Sequence, residues 1–183
     1  MKIIGISGVA RSGKDTLAKM LISEAGEAVH MSFAAPIREF VARLLGLPLK
    51  DLLDGPVKEQ PIPELGGKSP RQLMQTLGTE WGREMIDPDL WIKVARWRLG
   101  DLKKDLFPPK IVVFSDVRFD NEAEMIRSMG GTIVVLRRPH ATQVEAHRSE
   151  AGLSQFLATD IVIDNSGSIF DLNVAARRLL ARF

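Results

Sequence analysis

Lys14 carries the clearest chemistry in the chain. It follows Gly8 and Gly13, which flank four residues, so the stretch Gly8-Val9-Ala10-Arg11-Ser12-Gly13-Lys14 fits the spacing G-x-x-x-x-G-K. In that pattern successive backbone N–H groups surround the phosphates of a nucleoside triphosphate, and the lysine adds a mobile positive charge. Glycines permit backbone conformations barred to a Cβ, and the N-terminus of the following helix offers unpaired N–H donors to an anion. The stretch therefore reads as an anion cradle. One position departs from the pattern: Asp15 stands where Ser or Thr ordinarily gives a hydroxyl to Mg²⁺, and Thr16 comes one residue later. A carboxylate is a harder oxygen ligand that holds Mg²⁺ directly or through water, and the metal offsets its negative charge beside phosphate.

A second group of charges follows an apolar run. Lys110 to Ser115 contains Ile111, Val112, Val113 and Phe114, and Asp116-Val117-Arg118-Phe119-Asp120-Asn121-Glu122-Ala123-Glu124 comes directly after it. A continuous β-branched and aromatic run marks a strand buried on both faces, and charge at the carboxyl end of such a strand marks a site. Arg38 falls in the first turn of a predicted helix, where a cation opposes the helix dipole; a phosphate in front of it, or plain solvation, would explain the placement. Arg137, Arg138 and Arg148 surround a short helical stretch and form a basic flap. His140 and His147 of that flap are seven residues apart, not at the spacing that brings two ligands to one helix face, so no zinc site is expected.

The elements that must position these groups follow from periodicity. Residues 2–7 form a strand, and Leu17, Met20, Leu21 and Ala25 mark a helix over 14–25 that ends at Gly26. Ala28 to Phe33 is a second strand, and strand, helix, strand implies a right-handed crossover with parallel pairing. A helix over 36–46 begins at Pro36 and turns Ile37, Phe40, Val41, Leu44 and Leu45 inward. Five prolines and three glycines between Pro48 and Pro70 predict an irregular segment. Ser69-Pro70 opens a helix running toward Met85, interrupted at Gly78, and Asp89 starts another with Trp91, Val94, Ala95, Arg98 and Leu99 at helical steps. Trp91 is read as core. Strands over 110–115, 132–136 and 160–164 alternate with a helix over 121–129, and a terminal helix over 168–183 places Ile169, Leu172, Ala176, Leu179 and Leu180 on the sheet.

Composition bounds the possibilities. The 183 residues suit one domain, and 45% hydrophobic with 26% charged residues is ordinary for a globular protein. Lys+Arg of 25 against Asp+Glu of 23 leaves a net charge of +2, too small for a surface that coats nucleic acid. There is no cysteine, which excludes disulfides, thiolate metal sites and a cysteine nucleophile. No apolar run approaches the ~20 residues that span a bilayer, and the chain enters its first strand directly. A cytoplasmic protein is expected, with a small-molecule substrate, no nucleic-acid or membrane partner, and a monomeric or homodimeric state.

Three stretches together resemble the phage-type deoxynucleoside monophosphate kinases, a branch of the P-loop nucleoside monophosphate kinases. They are Arg11-Ser-Gly-Lys-Asp-Thr16, Gln75-Thr-Leu-Gly-Thr-Glu-Trp-Gly-Arg83 and Asp116-Val-Arg-Phe-Asp-Asn-Glu122. The Lys14-Asp15 pair is familiar in that branch. The resemblance implies an α/β, three-layer P-loop kinase fold with a five-stranded parallel sheet, a helical acceptor-binding insert and a short lid. It implies one domain over 1–183: a core of 1–33 and 108–183, the insert at 34–107 and the lid at 137–150. A phage source would place the protein in the host cytoplasm.

The implied activity is Mg²⁺-dependent phosphoryl transfer from ATP to a deoxynucleoside 5′-monophosphate. By resemblance, ATP is held by Gly8, Arg11, Ser12, Gly13, Lys14, Asp15, Thr16, Arg137 and Asn165, the last within a turn, 164–167, that lies against the donor adenine. The acceptor is held by Arg38, Arg71, Gln75, Trp81, Arg118 and Glu122, with Arg38 and Arg118 on its phosphate and Glu122 at its base. Glu122 also suits the first turn of its helix on dipole grounds alone. Lys14, Arg118, Arg138 and Asp116 are the expected catalytic residues, and Asp15 and Asp116 the metal residues; an ion pair between Asp116 and Arg118 is the other reading. An acceptor phosphate is already an anionic nucleophile, so positioning and charge neutralisation suffice. The terminal 160–168 stretch also resembles dephospho-coenzyme A kinases, and some phosphomevalonate kinases share a Lys-Asp loop. A non-catalytic ATP-binding switch is the non-enzyme alternative.

Overall fold

A computed structural model describes residues 1–53, 55–139 and 152–183. Its strands are β1 (Lys2–Ser7), β2 (Ala28–Met31), β3 (Ile111–Val117), β4 (Thr132–Arg137) and β5 (Ile161–Asp164). Its α-helices are α1 (Lys14–Ala25), α2 (Ala35–Leu45), α3 (Leu49–Leu53), α4 (Pro70–Thr76), α5 (Leu90–Leu102), α6 (Asp120–Ser128) and α7 (Ile169–Leu180). A π-helix runs over Leu77–Ile86, and 3₁₀ turns over Val57–Glu59 and Pro63–Leu65. The described residues form two units: Met1–Ser32 with Ala95–Phe183, and Phe33–Val94.

The first unit is built on a five-stranded sheet in the order β2-β3-β1-β4-β5, every pairing parallel. Alternation along β1 sorts its side chains by face. Ile4 and Ile6 join Val113, Val134 and Leu136 under Leu17 and Leu21 of α1 and Leu172, Ala176 and Leu179 of α7. Gly5 turns the other way, where an added Cβ would meet Ile126 of α6 at 2.5 Å and Ile133 of β4 at 2.9 Å. Helices therefore cover both faces, and the α/β three-layer expectation holds. Ile169 does not cover the sheet as expected: it is 64% exposed, because it opens α7 one residue after the Ser168 cap and lies outside the buried stripe.

Two carboxylates, one in an ion pair and one hydrogen-bonded, fix the approach to β5. Arg127 of α6 forms a two-armed ion pair with Asp160, Nε to Oδ1 at 3.1 Å and Nη2 to Oδ2 at 2.6 Å, with the carboxylate side chain 2% exposed. Asp120, in the first turn of α6, accepts hydrogen bonds from Ser154 and from the Gln155 amide. Burial pushes the Asp120 carboxyl up, but these bonds and Arg127 outweigh it and hold the group below its ordinary range.

In the second unit α2 buries Ile37, Val41 and Ala42, whereas Phe40 and Leu44 are 54% and 63% exposed, against expectation. The apolar sequence is wider than the stripe its neighbours cover. The 48–70 segment is less irregular than its prolines predict, since α3, two 3₁₀ turns and an Ile62↔Lys68 bridge follow one another. Ser69 caps α4 through a reciprocal box with Gln72.

The α-helix does give way beside Gly78, ending at Thr76, but the chain continues through the glycine as a π-helix, closed by an Asp87 N–H to Gly82 carbonyl bond of 3.0 Å. Gly78 and Gly82 make the surface on which Trp91 lies. The Trp91 Nε1 donates to the Gly78 carbonyl at 2.7 Å, and a Cβ on Gly82 would sit 2.8 Å from the indole. Trp91 is core, as read from the sequence, at 8% exposed. No helix among the described residues is long and apolar enough to cross a membrane.

Candidate active site

The loop between β1 and α1 has the backbone its glycines predict. Gly8 has φ 150°, Gly13 has φ 100°, and Arg11 takes φ 61°, a left-handed value uncommon for a residue with a Cβ. A Cβ on Gly8 would fall 2.4 Å from the Leu136 carbonyl oxygen, so only glycine lets the loop pass the end of β4. Lys14 Nζ donates to the Gly8 and Val9 carbonyls, both at 2.8 Å, which draws those oxygens toward the ammonium and rounds the loop. Ser12 is fully buried and its Oγ has no hydrogen-bond partner among the described residues. A buried hydroxyl without a partner is costly unless a ligand supplies one, and in a rounded anion loop a phosphate oxygen would do so.

The end of β3 supplies the second half. Between Gly5 and Ser7 the β1–β3 register slips, Gly5 facing Phe114 and Ser7 facing Val117, so β3 carries one extra residue at Ser115-Asp116. In a regular strand those neighbours would point to opposite faces. With the bulge, Ser115 Oγ bonds His30 Nε2 at 2.8 Å while Asp116 Oδ2 accepts from Ser32 Oγ at 2.6 Å, and His30 and Ser32 are alternate positions along β2 and its exit. Ser115 Oγ also donates to Asp15 Oδ1 at 2.9 Å. A hydroxyl has one proton to give, so His30 is the donor to Ser115 and carries its proton on Nε2.

Two carboxylates expected near the metal, Asp15 and Asp116, are thus both oriented by serine hydroxyls at one end of the sheet. Two carboxylate oxygens with no third acidic or imidazole group are what Mg²⁺ uses when phosphates and waters complete its shell; no cluster of three such groups occurs among the described residues. The residues present fit that ion. Ser32, Ser115 and His30 were not singled out in the sequence. The only signal Ser32 and Ser115 carry is a hydroxyl at a strand's carboxyl end, and His30 carries none beyond its place in β2.

Glu122 is tied to the backbone at the start of α6. It is 3% exposed, and its Oε2 accepts the backbone N–H groups of Arg118 at 2.8 Å and Phe119 at 3.1 Å. An oxygen that takes two amides inside the fold closes the first turn of α6 and fixes the backbone that carries Arg118. Glu122→Ala should lower the unfolding free energy by about 2–3 kcal/mol, seen in urea melts. Glu122→Gln, whose single amide oxygen can accept both N–H groups, should leave the kcat/KM ratio among dGMP, dTMP and dAMP unchanged. A ratio that moves toward dAMP would return Glu122 to base reading.

The remaining expected residues are distributed as follows. Thr16 is half-buried in the first turn of α1, and Arg118 half-buried beyond β3. Arg137 ends β4 with its guanidinium 6.0 Å from the Phe156 ring centre, and Arg138 is exposed next to it. Asn165 is buried, with its amide on the loop rather than in the open turn. In the second unit Arg38 lies in α2, Arg71 and Gln75 in α4, and Trp81, 42% exposed, in the π-helix; Arg71 Nε bonds Glu59 at 2.7 Å. The flap from His140 through Arg148 to Glu150 lies outside the described residues.

A phosphate loop leaving the central strand of a parallel sheet ordered β2-β3-β1-β4-β5, with helices on both faces, defines the P-loop kinase fold. Solved structures agree on that fold. A protein known as TT1252 from Thermus thermophilus superposes with a TM-score of 0.52 at 18% identity, covering 100% of this chain and 97% of its own. A gluconokinase from Sinorhizobium meliloti gives 0.50 at 15%, covering 99% and 92%. The family model for deoxynucleotide monophosphate kinase matches residues 66–175. A protein of Acanthamoeba polyphaga mimivirus is 33% identical over 176 residues, 92% of this chain and 91% of its own. The deoxynucleotide monophosphate kinase of Enterobacteria phage T4 is 28% identical over 234 aligned positions, covering 94% of this chain and 95% of its own. The chain belongs to the deoxynucleotide monophosphate kinase family.

Proposed function

We propose that the protein transfers the γ-phosphoryl group of ATP to a deoxynucleoside 5′-monophosphate, giving ADP and the deoxynucleoside diphosphate. The observation that carries this reading is the rounded loop of Gly8 to Lys14, with its unsatisfied Ser12 hydroxyl, in a chain of this family. A phosphate oxygen of the acceptor attacks Pγ, the bond from Pγ to the β–γ bridging oxygen breaks, and that oxygen leaves on ADP. No protein base is needed, because the attacking oxygen is already anionic.

The loop N–H groups and Lys14 hold the β- and γ-phosphates and meet the charge that builds on the leaving oxygen. Arg118, on the backbone fixed by Glu122, and Arg138 face the transferring group. Arg137, Arg11 and Thr16 contribute to the triphosphate side; Arg38, Arg71, Gln75 and Trp81 take the acceptor, Arg38 by the bidentate fork that suits phosphate. Asp15 and Asp116, held by Ser115 and Ser32, would hold Mg²⁺. When bound, that ion neutralises phosphate oxygens and fixes their geometry.

The deciding experiment measures ADP release from ATP and Mg²⁺ with each deoxynucleoside monophosphate in turn. Acceptor-dependent ADP release, with the matching diphosphate formed one for one, is expected; ATP binding without acceptor-stimulated turnover would leave a nucleotide switch instead. The hydroxyl support of the carboxylates is testable in the same assay. Ser115→Ala should raise the Mg²⁺ concentration for half-maximal rate by about three- to tenfold, the loss of one charge-assisted hydrogen bond, with little change at saturating metal. An unaltered Mg²⁺ titration would detach Asp15 from the ion.

A further inference from the structure

Asn165 is buried to 8% exposure one residue beyond β5, and its side chain reaches 153 positions back along the sequence. Its Nδ2 donates to the Ser12 carbonyl at 2.8 Å, and its backbone N–H donates to the Arg137 carbonyl at 2.6 Å. The second bond continues the β4–β5 ladder past the Arg137↔Asp164 pair. Asn165 therefore ties the sheet edge to the phosphate loop. The close approach requires glycine on the other side, since a Cβ on Gly13 would sit 2.6 Å from Nδ2.

The peptide that Asn165 grips joins Ser12 to Gly13. A trans peptide is planar, with C=O and N–H pointing in opposite directions. Pinning the Ser12 oxygen toward Asn165 therefore turns the Gly13 N–H away from it, a direction from which it would meet an anion held by the loop. We propose that Asn165 is a positioning residue for triphosphate binding, acting through the Ser12–Gly13 peptide and not by contact with the adenine base. This rests on the reading of the loop as the ATP phosphate site.

Tripolyphosphate, which has no base, separates the two roles. By calorimetry, Asn165→Ala should weaken ATP and inorganic tripolyphosphate by the same factor, about tenfold for one buried hydrogen bond and a misdirected donor. Asn165→Asp adds a signature that loss of packing cannot imitate. An ionised carboxylate only accepts, and facing the Ser12 carbonyl it repels, whereas a protonated carboxyl donates as the amide did. Asn165→Asp should bind tripolyphosphate more weakly than Asn165→Ala at pH 8 and recover to within about threefold of the parent near pH 5.5, as its carboxyl takes up a proton.

The charged groups on the surrounding elements are Arg11, Lys14, Asp15, Arg137, Asp164 and Asp171. The parent and Asn165→Ala share all of them, so the ratio between those two should stay flat over the same pH range. If ATP binding weakens and tripolyphosphate binding does not, Asn165 serves the adenine and the inference is overturned. Parent-like binding of both probes by both variants overturns it too. A parent that binds neither probe overturns the loop reading along with it. Should Asn165→Ala fail to fold, Asn165→Asp compared at the two pH values decides between the same outcomes.

Discussion

Lys14→Ala is expected to fold and to lose at least about 10²-fold in kcat, the cost of removing one preorganised charge from a transferring phosphoryl group. The ammonium acts twice. In the proposed mechanism it gives charge to the phosphates, and through its bonds to the Gly8 and Val9 carbonyls it would keep those oxygens from facing an anion. Losing the second role should weaken ATP binding as well, so KM for ATP rises while kcat falls. Lys14→Met, which keeps most of the stem, separates packing from charge: it should match the alanine variant in rate and the parent in thermal stability. Rates come from coupled ADP release, and folding from circular dichroism. A folded Lys14→Ala protein turning over at near-parental rate would remove the phosphate loop from the mechanism.

Gly8→Ala should be nearly as damaging by a different route. Its methyl group would meet a backbone oxygen, that of Leu136, at 2.4 Å and the Ser12 hydroxyl at 2.8 Å, at a φ of 150° that a side chain disfavours. Neither neighbour can swing aside as a flexible side chain would, because Leu136 is inside β4 and Ser12 is buried. The loop must therefore move. We expect a loss of about 1–3 kcal/mol in unfolding free energy, as for other overpacked sites, and ATP affinity reduced by at least about 10²-fold, since a triphosphate cradle tolerates little misplacement. Gly26→Ala is the control: its φ is also positive, at 69°, but its Cβ would meet nothing within 4 Å, so it should lose some stability and retain ATP binding. Equal ATP affinity in Gly8→Ala and the parent would show that the approach to β4 does not shape the loop.

What the sequence determined by itself is local. The loop was legible because its chemistry needs glycines and a lysine at fixed steps along one continuous stretch, and Gly8, Gly13 and Lys14 stand where that spacing puts them. Strand positions were legible because a strand buried on both faces is a continuous apolar run, and β3 begins within one residue of its predicted start. The Ser69 cap and the Trp91 core position followed from neighbours a few residues away.

The tertiary structure decided everything that joins distant positions. Asp15 is oriented by a serine 100 residues away, Asp116 by one 84 residues back, and the Ser12 peptide by an asparagine 153 residues on. The bulge that turns Ser115 and Asp116 toward β2 leaves no mark in composition, because it depends on how β3 slides against β1. Glu122 has the type and position of a base reader, and only the fold shows its oxygen filled by the amides of Arg118 and Phe119. Phe40 and Leu44 keep helical spacing yet face outward, since periodicity gives the width of an apolar stripe and not how much of it a neighbour covers. Spacing along a chain encodes which groups share a face or a turn. Which hydroxyl reaches which carboxylate is set by sheet order and register, which arise from packing the whole chain at once.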